Sequence, residues 1–195
     1  MKIICITGGI GSGKTTVAKI FETLGYPVYY SDERAKAMYF LPEVKRQIIQ
    51  ILGKDAYINE NTLNKKYIAD RIFADSQLLN QVNQIIHSAV KQDFQEFLKE
   101  HADSDFLFKE SALIFEAQLQ TACHKIILVT APREIRVQRI KQRDKLSDDE
   151  IIKRMSKQMP DEEKIKQVDF VIHNNETEPL LPKVLEIFIH LKNSY

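Results

Sequence analysis

Apolar residues gather in five short runs, at positions 2–7, 27–31, 105–109, 125–130 and 168–172, each rich in β-branched or aromatic side chains. Helical patterns fill the gaps between them. Strands that alternate with helices need crossover connections, so the five runs read as one parallel sheet with helices on both faces, an α/β fold. Ligands of such a sheet collect at the carboxyl ends of its strands. One gap is too long to be a crossover. Positions 33–104 hold no convincing strand, and the clearest helical stretch there runs over 77–100. Its apolar positions Leu78, Val82, Ile85, Ile86, Ala89, Val90, Phe94 and Phe97 return at three- and four-residue steps. This helical insertion either only packs or also receives a second substrate.

The first run leads into Gly8-Gly9-Ile10-Gly11-Ser12-Gly13-Lys14-Thr15, which fits the P-loop pattern G-x-x-x-x-G-K-[ST], and a helix is expected from 14 to 24. Glycines let the chain turn with positive φ and bring backbone N–H groups onto a polyphosphate. The dipole of the following helix points at the same anion. Gly9, Gly11, Ser12, Gly13, Lys14, Thr15 and Thr16 are therefore the expected nucleotide-binding residues. Lys14 would reach the β- and γ-phosphates, Thr15 would take a place on Mg²⁺, and Thr16 would lie near the α-phosphate.

The chain has 195 residues, enough for one α/β domain with insertions, and a formal charge of +1. So balanced a charge offers no basic field for nucleic acid or an anionic membrane, and a small substrate is the better expectation. Cys5 and Cys123 form no metal spacing and no disulfide framework, which suits a reducing cytoplasm. No window approaches a membrane span, and no leader pattern opens the chain.

Three acids fall near the expected rim. Asp32 follows the second run and reads either as a base or water-mediated Mg²⁺ partner facing the γ-phosphate, or as a helix N-cap. Glu110 ends the third run where a Walker-B acid acts on Mg²⁺, or is an ordinary strand-end acid. Glu116, after Ala112-Leu113-Ile114-Phe115, lies near the same rim or is solvated.

Arg136, Arg139 and Arg143 are spaced by three and four residues, so on a helix they share a face that can neutralise a transferring phosphoryl group. Ser147-Asp148-Asp149-Glu150 is a capping-box pattern opening a short helix that carries Arg154 and Gln158 and stops before Pro160. Together these make a small polar flap, or a solvated charged surface. Loop, rim carboxylate, helical insertion and arginine flap describe a small-molecule kinase. Asn64-Lys65-Lys66-Tyr67 lacks the aspartate of a GTPase base-reading element, and the transporter-ATPase signature is missing.

An ordered set of motifs over nearly the whole chain resembles the dephospho-coenzyme A kinase family. It comprises the loop with its paired glycines and isoleucine, Asp32-Glu33-Arg34-Ala35-Lys36, Arg71-Ile72-Phe73, residues 83–87, Ala112-Leu113-Ile114-Phe115-Glu116, Arg139 with Arg143, Gln158, and Asp169-Phe170-Val171-Ile172-His173-Asn174. Tyr30, Ser88, Ala112 and Glu176 depart from it, standing where the family has an acid, a proline, a proline and commonly a glycine. The resemblance implies a P-loop fold like that of nucleoside-monophosphate kinases, and transfer from ATP to the ribose 3′-hydroxyl of dephospho-coenzyme A. Motif reading and resemblance together assign Lys14, Asp32, Arg139 and Arg143 to catalysis, and the motif positions alone assign Thr15 and Glu110 to the metal. Asp32, His87 and Glu116 go to the acceptor, and Asn174 to a loop beside the donor adenine. His87 is equally readable as a packed helix histidine. The expected organisation is a single domain: a core of 1–32, 105–140 and 166–195, an acceptor insertion at 33–104 and a lid at 141–165. No obligatory protein partner is expected. The competing readings are a kinase for another hydroxylated acceptor, such as a nucleoside monophosphate or shikimate, and a nucleotide-dependent switch.

Overall fold

The computed structural model describes every residue of the chain except Lys145. Two compact units make it up, Met1–Tyr30 with His101–Tyr195, and Ser31–Glu100.

The first unit is built on a five-stranded parallel sheet: β1 (Lys2–Thr7), β2 (Val28–Tyr30), β5 (Phe106–Glu110), β6 (Lys125–Thr130) and β7 (Phe170–His173), in the order β2-β5-β1-β6-β7. β1 lies at its centre, with Ile6 beside Glu110 on one side and Ile127 on the other. A central parallel strand is buried on both faces, which is why β1 reads as an apolar run and not as an alternation. Ile4 and Ile6 face the cluster built with α1 (Lys14–Thr23) and α9 (Leu180–Ser194), through Val17, Ala18, Phe21, Val184, Ile187 and Leu191. Phe21 stacks on Phe108 with ring centres 3.9 Å apart. Cys5 faces the opposite cluster of Ile114, Phe115 and Ile126. There it forms a disulfide with Cys123, 118 positions away, against the expectation of two unpaired thiols. Cys123 follows a short 3-10 turn at Gln120–Ala122 that brings it back beside β1, a closure that spacing alone does not reveal.

α6 (Arg133–Asp144) follows β6, and α7 (Asp148–Met155) follows α6. The capping box forms as expected: the Ser147 side chain accepts the Glu150 N–H, and Glu150 accepts the Ser147 N–H. The helix ends at Met155, however, so Gln158 is not on it. A one-turn helix α8 (Asp161–Lys164) leads on towards β7.

The second unit contains α2 (Ser31–Met38), α3 (Pro42–Leu52), α4 (Lys65–Ala74) and α5 (Ser76–Glu100). Met38, Val44, Ile48, Leu52, Ile68, Val82 and Ile86 make its core, and the expected stripe of α5 supplies Leu78, Ile85, Ala89 and Val90 around it. A small antiparallel hairpin, β3 (Tyr57–Asn59) with β4 (Thr62–Leu63), corrects the expectation of no strand between 33 and 104. Strands of three and two residues are too short to show an alternation. The local signal is the turn, where Asn59 accepts the Asn61 N–H.

Candidate active site

The glycine-rich segment spans the gap between the end of β1 and the start of α1. Gly13 sits at φ 94°, and a Cβ there would strike the Asn174 side chain, so the position needs glycine twice over. The Ser12 N–H closes a turn on the Gly9 carbonyl at 3.0 Å. Three successive carbonyls are then held from outside. Arg136 Nε donates to Ile10 O at 3.0 Å, and Arg139 Nη1 donates to Gly11 O and Ser12 O, each at 3.3 Å. Asn174 Nδ2 donates to Ser12 O at 2.9 Å.

A trans peptide sets its N–H opposite its carbonyl, so drawing the Ile10 and Ser12 carbonyls outward turns the Gly11 and Gly13 N–H groups inward. The first N–H groups of α1 have no intrahelical acceptor, and no acid in that first turn cancels their partial charge. The result is a ring of donors that suits a polyphosphate. Thr16 differs from Lys14 and Thr15 in that its N–H goes to Gly13 O at 3.0 Å. The Ser12 hydroxyl is buried without a hydrogen-bond partner among the described residues.

At the inner end of the loop Glu110 is 3 % exposed. Its Oε1 lies 3.4 Å from Lys14 Nζ and accepts the Thr15 hydroxyl at 3.2 Å. A buried carboxylate with a hydroxyl beside it is an all-oxygen donor pair, the kind that magnesium prefers. Among the described residues no cluster of three or more His, Cys, Asp or Glu could cage a metal by itself. The fit to Mg²⁺ therefore rests on the Glu110 and Thr15 oxygens alone, which are compatible with an ion that keeps several waters.

Arg136, Arg139 and Arg143 of α6 do not act alike. Arg136 is nearly buried and also donates to Asp161 at 3.3 Å. Burial pulls its guanidinium below the ordinary value, while the charges of Asp161 and Glu162 pull the other way. Arg139 is gripped by Glu176 at 2.9 and 3.1 Å as well as by the loop. Glu176 takes φ 66°, a left-handed conformation that favours glycine, and uses its side chain to hold Arg139. The side chain of Arg143 is 62 % exposed and donates twice to Asp144, which raises its pKa.

The remaining expected residues are dispersed. Asn174 spends its side-chain amide on Ser12 and on Arg139. Glu116 is not solvated: it accepts the Met159 N–H at 2.8 Å and faces Lys164 Nζ at 3.0 Å. In the helical unit, Asp32 is exposed in the first turn of α2, inside the helix and not at its cap, and His87 is exposed on α5.

Gln158, Asp161 and Lys164 were not selected for this site from the sequence, although all three belong to its surroundings. Gln158 Oε1 accepts the Ile10 N–H at 2.8 Å. The sequence singled out Arg136 by its spacing from Arg139, and Gln158 only as part of the polar flap and of the family resemblance. Asp161 and Lys164 lie in a polar stretch that reads as solvated surface.

The sequence profile of dephospho-CoA kinase matches residues 2–179. A dephospho-CoA kinase of Bacteroides fragilis is 38% identical over 195 residues, covering 98% of this chain and 95% of that protein. One of Porphyromonas gingivalis is 39% identical over 189 residues, covering 96% and 93%. The crystal structure of TT1252 from Thermus thermophilus superposes with a TM-score of 0.87 at 30% identity, covering 97% of both chains. A phosphate-binding loop at the carboxyl end of β1, a Lys14–Glu110–Thr15 cluster behind it and a match along nearly the whole chain place this protein in the dephospho-CoA kinase family.

Proposed function

We propose that this enzyme moves the γ-phosphoryl group of ATP to the ribose 3′-hydroxyl of dephospho-CoA, giving CoA and ADP in the last step of coenzyme A synthesis. The observation that carries this reading is the loop whose Ile10, Gly11 and Ser12 carbonyls are all drawn outward, in a chain of this family.

In this mechanism the loop amides and Lys14 hold the donor phosphates, Lys14 exchanging Glu110 for phosphate oxygen. Thr15 and Glu110 would hold magnesium, which when bound neutralises charge on the β- and γ-phosphates. Asp32, two residues beyond β2, orients the attacking hydroxyl and takes its proton. Arg139 and Arg143 are assigned to the charge that spreads over the equatorial oxygens of the phosphoryl group. Acceptor recognition is assigned to residues 33–104, His87 included, with Glu116 on its own segment, and the donor adenine to the loop that begins at Asn174. Within the lid assigned to 141–165, closure falls to α7, because Gln158, Asp161 and Lys164 are tied down, and it excludes water that would otherwise hydrolyse ATP.

A cytoplasmic enzyme working without nucleic acid, membrane or an obligatory protein partner completes the proposal. The balanced charge supports it, and among the described residues no helix is long and apolar enough to cross a membrane. Alkylating thiols at the moment of lysis tests the location. The Cys5–Cys123 disulfide weighs against it: a reducing compartment would deliver the pair as free thiols, and a disulfide trapped at lysis contradicts the cytoplasmic location.

ADP formation followed with dephospho-CoA, adenosine monophosphate, shikimate or no acceptor tests the reaction. Turnover with dephospho-CoA alone is expected. Faster turnover with another acceptor, or equal ADP release without any, would replace the assignment by the other kinase or by the switch, neither of which the family match favours. Asp32→Asn should lower kcat by about 10²- to 10⁴-fold in a folded protein. An unchanged kcat removes Asp32 from proton transfer.

A further inference from the structure

Both polar groups of Ile10, on the outside of the phosphate loop, are taken by side chains from far along the chain: Arg136 Nε donates to its carbonyl at 3.0 Å, and its N–H donates to Gln158 Oε1 at 2.8 Å. Gln158 is followed directly by groups that are themselves tied down. The Met159 N–H donates to Glu116 Oε1 at 2.8 Å, and the same oxygen lies 3.0 Å from Lys164 Nζ. Lys164 is 0% exposed, so its ammonium is withdrawn from bulk water. Two residues on from Met159, Asp161 accepts from Arg136 at 3.3 Å and from the Thr130 hydroxyl at 2.7 Å.

Burying an ammonium costs several kcal/mol, and an ion pair repays that cost only in part, so a buried pair is weak evidence for stability. What it does provide is position. Fixed between Lys164 and the Met159 N–H, the Glu116 carboxylate holds the segment after α7 in register, and Gln158 meets the Ile10 N–H from that segment. The amides that face the phosphates begin one residue later, at Gly11.

We propose that Gln158 is a positioning residue for the donor nucleotide: it presets the phosphate loop by accepting the Ile10 N–H, and the buried Lys164–Glu116 pair anchors it there. This rests on the donor half of the function assigned above. Gln158 touches neither phosphate nor acceptor in this role; it acts through the loop.

The test is MgADP affinity measured by calorimetry, with amide exchange at Ile10 followed by NMR. Gln158→Leu removes the acceptor at a half-buried position and should leave the fold intact. It is expected to weaken MgADP about tenfold, the worth of one well-made hydrogen bond, and to speed Ile10 exchange. Gln158→Glu keeps an oxygen at the same reach and is expected to return affinity to within about threefold of the parent. Parent affinity and parent Ile10 exchange in Gln158→Leu would overturn the proposal, as would equal losses in both variants. Lys164→Met should lower Tm and weaken MgADP. Combined with Gln158→Leu it should cost no further affinity, because both act through one contact. Additive losses would remove Lys164 from the anchor. MgADP binding needs no acceptor, so a parent enzyme inactive on dephospho-CoA would end the assigned reaction and leave this proposal standing.

Discussion

In the phosphate loop, Ile10, Gly11 and Ser12 are each held by side-chain hydrogen bonds from residues 126 to 162 positions away. In the helical unit Ser31–Glu100 the order is kept mainly by Val44, Ile48, Leu52, Val82 and Ile86 packing between α3 and α5, with polar ties such as Tyr57 to Tyr39 O and Tyr67 to Leu52 O at its margins. Directed hydrogen bonds fix a backbone atom to within a few tenths of an ångström and weaken steeply with angle, whereas apolar contacts are non-directional. The loop must meet phosphate oxygens at hydrogen-bond distance, so it is held by directed bonds. The helical unit needs a stable body, and apolar area supplies that.

The comparison can be broken first at Lys14. Lys14→Ala is expected to lower kcat/KM about 10³-fold, the upper range for removing one charge-stabilising donor. Circular dichroism must accompany the assay, because Glu110 loses its buried cation. Near-parent turnover would take the loop out of the mechanism. Ile48→Ala is the matching change in the helical unit. It should cost about 2–5 kcal/mol of stability, read as a lower Tm, while MgADP affinity of the folded protein stays at the parent value. A loss of MgADP affinity would show that the two units are not held independently.

Asn174→Ala sharpens the loop side. Removing the donor to Ser12 O should weaken MgADP about tenfold with little change in Tm. A change in Tm with parent affinity would reduce Asn174 to packing. The smallest effect is expected from the Tyr57 phenol, whose pKa burial, and then the nearby Tyr39 phenol, push up from 10.0 to about 12. The folded state therefore keeps that proton longer than the unfolded chain does. The resulting stability is fully present below pH 10.0 and is lost as pH rises towards about 12. Melting curves across that window should fall, with a shallower fall in Tyr57→Phe.

Residues 125–130 and the loop were legible because their signals are local. Apolar runs, glycine spacing and the Ser147–Glu150 box each involve neighbours in sequence, and the strand Lys125–Thr130 and the cap formed as read. The strand expected at 168–172 begins instead at Phe170, because Asp169 turns its carboxylate to the Ile126 N–H at 2.8 Å and to Lys125 at 2.7 Å. That partner lies 43 positions away from Asp169, beyond any local pattern. The 57–63 hairpin was hidden by its brevity, and the Cys5–Cys123 pair by 118 intervening residues.

The sequence by itself determined the parallel α/β sheet, the long amphipathic α5 and the nucleotide-gripping turn, since each follows from the period of apolar positions or from the conformations open to glycine. Tertiary structure alone decided what the polar side chains do. Arg139 and Asn174 hold carbonyls of the loop, Glu116 faces a wholly buried Lys164, and Gln158 accepts an amide 148 positions away. The physical reason is that burial and periodicity are properties of neighbouring residues. The partner of a hydrogen bond is chosen by topology, when strands distant in the chain are laid side by side and bring their loops to one edge.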